Sequence, residues 1–356
     1  MDADLKNIIT NESKNRVKWG FIIGFLCAVL WGFAYIAFAM QWLVPPFNDL
    51  SAFPEGATGM MVATATMLTV QIFIALVLLS VFYLGGTGKL ADLPRTIRTY
   101  KISKWYALAA AFGGPIAIYG TTLAIGYIGA AFAASAALLT SVVGAFVAKL
   151  WYGENITKRA WMGIGIMIVG GIFILNPVKT IAEITSPAAP DGLWLGYLGA
   201  VVSFIGWGIE GAVAGRVIDL TDSDSGLHTR FFAELLIWVV IIWPVFLLLL
   251  GPNVVFIALG AAFTSPSFLI WTSLAVLSGN FSYVFMWKTY PLIGVGRGMS
   301  VSTLYVLFAI IALYVFMGSP TAWWVVLGAV IAVVGIFVMY WDSGDSLLES
   351  TRSSSE

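Results

Sequence analysis

The sequence predicts an all-α integral membrane protein of ten transmembrane helices, arranged as two inverted five-helix repeats with both termini in the cytoplasm. Three observations carry that expectation: a composition suited to lipid, ten apolar stretches of spanning length, and a glycine pattern that returns after 165 residues. Of the 356 residues 60% are hydrophobic and only 10% charged, against roughly 45–50% and 25% in a soluble domain. The net charge is zero and the eighteen Lys and Arg are scattered, so no basic stripe exists to track a phosphate backbone and nucleic acid is excluded as a partner.

The elements follow in chain order. Residues 1–18 form a polar cytoplasmic tail in which Lys14, Arg16 and Lys18 precede an apolar run from Trp19 to about Val44. That run is longer than the roughly 7–15 residues of a signal core, and no small-residue cleavage site closes it, so it reads as the first span rather than a cleaved leader. A helix needs roughly 20 apolar residues to cross the hydrocarbon core. Spans are expected at 20–43, 59–84, 105–126, 130–151 and 159–176, making a first five-helix unit over 19–176. After an external linker at 177–192, further spans at 193–215, 230–250, 267–288, 295–317 and 320–341 make a second unit over 193–341. Helices are the economical backbone here, because an unpaired amide in lipid costs several kcal/mol and the alternating segments of a barrel are absent.

Positive charge sets the orientation, since cytoplasmic loops accumulate Lys and Arg. An inside N-terminus assigns to the cytoplasm Lys6 and its tail neighbours, the cluster Lys89, Arg95, Arg98, Lys101 and Lys104, the pair Lys158 and Arg159, and Arg216, Arg230, Lys288, Arg297 and Arg352. Lys179 alone falls outside. The first external connection, 44–58, is too rich in Pro and polar residues to be helical throughout; it is long enough for a lid, although an inert connector is the plainer reading. The Ser-rich tail, 342–356, cannot support packing and is expected to be disordered.

Shifting the chain by 165 residues superposes Gly129 on Gly294, Gly153 on Gly318, Gly163 on Gly328 and Gly170 on Gly335, while Trp31-Gly32 in span one is matched by Trp207-Gly208 in span six. Five spans are an odd number, so the second copy crosses in the opposite sense. Inverted repeats allow two nearly equivalent packings that open to opposite sides of one midplane site, the basis of alternating access.

The segment IGAAFAASAALLTSVVGAFVAKLWYGENITKRAWMGIGIMIVGGIFIL, following Tyr127, resembles the fourth and fifth helices of the EamA-type repeat of the drug/metabolite transporter superfamily. Glu154 takes the acidic position after that helix; the second copy has Ser319 there and departs from the pattern, so Glu154 is expected to be a structural cap. The resemblance spans about residues 20–341 and implies ten spans in two inverted halves. Within the superfamily, LWGFAY at 30–35, GGPIAIYG at 113–120, GWGIEG at 206–211 and SYVFMWK at 282–288 are similar to bacterial choline importers, which implies a bacterial inner membrane location.

Charged groups inside spans cost about 2.5–3.5 kcal/mol near the bilayer centre. Lys149, Glu234 and Arg297 lie near span ends, where snorkelling or pairing accounts for them. Glu210 is deeper, three residues after Trp207 and on the same helix face. An aromatic face beside a carboxylate suits a desolvated organic cation, which the ring quadrupole attracts. Trp31, Tyr35, Tyr119, Trp207, Glu210 and Tyr283 are therefore the candidate substrate-binding residues. The alternatives are interfacial anchoring for the rings and, for Glu210, a pair with Arg216 or a lysine at the cytoplasmic edge. Gln71 reads as an interhelical hydrogen bond, the paired glycines as close helix approaches, and the lone Cys27 as packing.

No Walker, GxSxG or HExxH sequence occurs, and the single His228 is expected in a cytoplasmic loop; no cofactor or metal is called for. The expected function is a secondary transporter of a small organic cation, choline or a related quaternary amine. One charge moving through ~100 mV gains about 2.3 kcal/mol, roughly forty-fold accumulation without a coupled ion; coupling through Glu210 would add a dependence on external pH. The alternatives are an exporter of other metabolites or drugs (an amino acid, a sugar or a toxic compound) and, from another class, a membrane-embedded enzyme or a scaffold. An enzyme needs convergent polar groups, and the in-span charges look scattered. Partners would be the small-molecule substrate and membrane lipids, with the chain a monomer or homodimer.

Overall fold

The computed structural model of the protein describes residues 3–153 and 156–340. Glu154 and the tail at 342–356 lie outside the described residues. Those described fold into helices with no strand among them, and ten helices are long and apolar enough to cross a membrane: Lys14–Trp42, Gly56–Leu84, Tyr100–Ile128, Ala130–Trp151, Lys158–Ile184, Leu193–Val217, Ser223–Leu250, Pro266–Ile293, Arg297–Met317 and Trp323–Tyr340. These are spans one to ten below. Large apolar side chains stand largely exposed on the outside, among them Leu248, Leu150, Leu249 and Phe256, a surface that suits lipid better than water.

Several boundaries differ from the sequence expectation, each for a local reason. Span one continues a helix that begins at Ala3, so most of the expected tail is helical. The expected linker after span five starts with a helical turn, Pro177–Ile184, because Asn176 turns left-handed (φ 37°) and its side chain accepts from the Lys179 amide at 3.3 Å, while Pro177 suits the first helical position. A helix, Pro252–Phe263, fills the expected loop before span eight: Gly251 (φ 84°) ends one helix and Pro252 starts the next. The largest departure is in span seven. It begins at Ser223, not Arg230, because Asp222 caps it by accepting from the Ser225 amide at 3.0 Å. His228, expected in a cytoplasmic loop, and Arg230, expected at the cytoplasmic start of span seven, are consequently buried helical residues.

Wide π turns interrupt spans two, three, seven and eight, at Leu76–Leu84, Phe112–Ile118, Trp238–Ile242 and Val276–Asn280. In span three the turn contains Pro115, which lacks the amide a regular helix would use. Spans four and nine break instead, at a short 3-10 turn, Ala137–Leu139, and at a turn over 303–304.

Glycines set the closest crossings. A methyl on Gly163 would meet the Gly335 carbonyl at 2.6 Å and one on Gly328 the Gly170 carbonyl at 2.6 Å, so spans five and ten lie backbone to backbone. Gly32 meets the Tyr305 carbonyl of span nine at 2.9 Å, and Gly208 the Thr140 carbonyl of span four at 2.9 Å. The first connection is pinned rather than loose: Phe47 and Phe53 are buried against Phe268, and the Pro45 carbonyl accepts from the Ser265 hydroxyl at 2.5 Å.

Candidate functional site

Span six explains why the site lies where it does. In GWGIEG, Gly206 lets the helix approach the Phe112 carbonyl at the wide turn of span three, and Gly208 lets it approach span four at its break. Trp207 and Glu210, between and just beyond these glycines, are left facing the interior. Gly113 and Gly114 in span three supply the opposite wall. A methyl on Gly113 would land on the Glu210 carboxylate, and one on Gly114 would meet the Glu234 carboxylate carbon at 2.5 Å. The two bare backbone positions are the seats of two buried acids.

Between those acids lies Arg230, fully buried. Its Nε donates to Glu210 Oε1 at 2.7 Å and its Nη1 donates to Glu234 Oε2. Tyr283 Oη adds a 3.3 Å bond to Glu210 Oε2, and the guanidinium stands 5.5 Å from the Tyr283 ring centre. Buried charges are tolerable only when paired and hydrogen-bonded, and this arrangement meets both conditions for the carboxylates. Glu210 thus pairs with Arg230, not with Arg216, which is exposed and stacks on Trp105 at 5.3 Å. Glu234 is paired as expected, but deep inside rather than snorkelling. The expectation that in-span charges are scattered is corrected: Glu210 and Glu234 converge on one arginine. With both acids ionised, the triad carries one excess negative charge.

Glu210 also lines a cavity of about 50 Å³, several times the roughly 10–15 Å³ that one water needs. Six of its fifteen lining residues carry aromatic rings. Trp31 packs against Trp207 (6.2 Å between ring centres), Tyr283 (4.6 Å) and Tyr305 (5.3 Å). Trp31, Trp207 and Tyr283 also form one wall of a second cavity of about 30 Å³, lined further by Tyr35, Gln71 and Asn280. An aromatic layer therefore separates two chambers. Gln71 makes the interhelical bond foreseen for it, donating to Asn280 at 3.0 Å, and Cys27 is buried.

No family model matches this chain, and no curated protein matches it. Solved structures do. One of those similar to it, described only as a crystal structure of a protein, has a TM-score of 0.54 at 14% identity, covering 90% of this chain and 96% of that one. The likeness is one of fold and of length. The chain has the make-up of a multi-pass membrane protein.

Of the six residues singled out in the sequence, the structure brings Trp31, Trp207, Glu210 and Tyr283 to the larger cavity and Tyr35 to the smaller. Tyr119 lines neither. It donates to the Met61 carbonyl at 3.1 Å and packs on Trp238. Arg230, Tyr305 and the Gly113-Gly114 seat were missed. Arg230 and Glu234, four apart on one helix, were the available signal for the triad, passed over because both were placed at the cytoplasmic end of span seven.

Proposed function

We propose that the protein is a secondary transporter that moves a small organic cation, choline or a related quaternary amine, by alternating access. The observation that carries the reading is the ring cluster of Trp31, Trp207, Tyr283 and Tyr305 beside the Glu210 carboxylate in one cavity. Rings within about 6 Å attract a cation that cannot donate hydrogen bonds, and more strongly when it is desolvated. With both acids ionised, the excess negative charge beside such a cavity favours a cation over a neutral solute or an anion.

The proposal includes two inverted halves, 19–176 and 193–341, with cytoplasmic termini and a place in the plasma membrane. Reciprocal contacts support the halves. Gly208 meets Thr140 as Gly32 meets Tyr305, and Tyr305 lies 165 residues after Thr140; Gly163 meets Gly335 as Gly328 meets Gly170, by the same shift. Gly129 and Gly294 turn alike (φ 94° and 83°), as do Gly153 and Gly318 (φ 70° and 61°). The positive charge bias supports the orientation. Chambers on both sides of one aromatic layer are what a site that opens alternately requires. The resemblance to the drug/metabolite transporter superfamily, and to its choline importers, points the same way.

The test is a thermal-stability screen of purified protein against choline, other quaternary amines, betaine, sugars and amino acids. A ligand at 100 times its dissociation constant stabilises by about 2.7 kcal/mol. Stabilisation by quaternary cations, lost in Trp207→Ala and weakened in Glu210→Gln, is the expected result. Stabilisation by neutral solutes alone would refute the cation reading.

A further inference from the structure

The larger cavity holds polar atoms that the aromatic cluster does not use. Its wall includes Thr140 and Trp207, and neither the Thr140 hydroxyl nor the Trp207 indole N–H has a hydrogen-bond partner, although both atoms are buried. Ser302 is a third: its hydroxyl, likewise unpartnered, has only the weakly bonding Cys27 thiol beside it. Thr140 and Ser302 are 5% and 2% exposed. Buried polar atoms in folded proteins are nearly always satisfied, so several in one cavity call for an explanation.

Their position supplies one. Thr140 follows the 3-10 break of span four and Ser302 precedes the turn that breaks span nine, so both interrupted helices contribute a hydroxyl-bearing residue to the wall of the same chamber. Discontinuous helices are where transporters commonly place substrate contacts. Of the other polar groups on this wall, Glu210 already has its oxygens engaged by Arg230 and Tyr283, and the Thr303 hydroxyl donates to the Ser300 carbonyl at 2.7 Å. A hydroxyl can both donate and accept, which matches the threonine and serine oxygens together with an indole N–H; a bare alkyl group matches none of them.

We infer that Thr140, Ser302 and the Trp207 N–H form a subsite for the hydroxyl of the cargo, so that the protein selects hydroxyl-bearing small organic cations over alkyl isosteres of the same charge. The inference deepens the proposed function and rests on it. The ring layer holds the cationic head, and the helix breaks read the tail. A site built to pair a hydroxyl discriminates against the analogue lacking it, because the analogue leaves its polar atoms unsatisfied.

The experiment measures binding of choline and of propyltrimethylammonium, which replaces the hydroxyl by methyl, to the full-length protein in detergent by titration calorimetry. The wild type is expected to bind choline at least tenfold tighter. In Thr140→Val and in Ser302→Ala the preference should shrink several-fold each, through weaker choline binding and unchanged binding of the propyl analogue. Retention of that analogue's affinity shows that the variants are folded. Equal affinities in the wild type, or a preference untouched by both variants, would overturn the subsite while leaving the cation reading intact. Binding of neither cation by folded wild type would overturn both.

Discussion

Gly113→Ala is the sharpest test of how the charged site is built. In an ordinary helix interior the change would stabilise by about 1 kcal/mol, through helix propensity and a stiffer unfolded chain. Here the new methyl coincides with the Glu210 carboxylate, so either the wide turn of span three shifts or the carboxylate leaves its place. Overpacking costs about 1–3 kcal/mol. Displacing the acid also breaks its 2.7 Å bond to Arg230 and strands buried charge, for which about 3–5 kcal/mol is typical. Set against the propensity gain, the net is a loss of about 3 kcal/mol or more when the carboxylate moves. The control is Gly165→Ala, where a methyl meets nothing within 4 Å and should be neutral or mildly stabilising. Thermal unfolding of the detergent-purified proteins reads both. A Gly113→Ala protein as stable as the wild type would refute the claim that this glycine is the seat of Glu210.

Arg230→Met should destabilise by about 3–5 kcal/mol, since it leaves two acids buried together, and Arg230→Met combined with Glu210→Gln and Glu234→Gln should recover part of that loss in the same unfolding assay. Gly170→Ala should cost about 1–3 kcal/mol, because the methyl would meet the span ten backbone at Ala332 N and Gly328 O at 2.7 Å; unchanged unfolding would argue against the close crossing of spans five and ten. At the rim, Asp222 is held below its ordinary pKa: partial burial pushes it up, but bonds from Lys89 at 2.6 Å and from Ser225 more than compensate. Lys89 is held above its own, its burial being outweighed by Asp222 and Asp224. The Asp222 contribution is therefore present above about pH 4 and lost as pH falls through its lowered value, whereas that of Lys89 is lost only on raising pH beyond about 10.5. Unfolding temperatures followed from pH 7 to 3 should fall less steeply in Asp222→Asn.

Hydropathy made the ten spans legible because each must be apolar along its whole length, a constraint that leaves its mark in one dimension. Trp31 and Trp207 were legible for a related reason, since a Trp-Gly pair in mid-span is conspicuous among aliphatic neighbours. What escaped was decided by contacts between spans. Arg230 looked like a charge at the cytoplasmic edge of its span because nothing near it in sequence shows that Glu210, twenty residues away, meets it in the interior. Tyr119 sits in a stretch similar to choline importers, yet the wide turn just before it aims its ring at Trp238 and its hydroxyl at span two. The GGPI stretch could be read as a kink, but only the packing shows that two carboxylates need its missing side chains.

The charge triad and the ring cluster constrain one another, and together they bear on the kind of cargo. A unit charge 4 Å from another interacts by about 4 kcal/mol at the effective dielectric of a protein site, so the single excess negative charge of Glu210, Glu234 and Arg230 matters to whatever occupies the adjoining chamber. Arg230 neutralises half of what two ionised acids would impose; without it a dication would fit best, and a second arginine would leave no net field for a cation. The ring faces add attraction for a diffuse charge that cannot donate hydrogen bonds. On the proposed reading, one residual charge, a face of rings and the two unpaired hydroxyls of Thr140 and Ser302 together suit a monovalent cation with a buried, non-donating head and a polar tail.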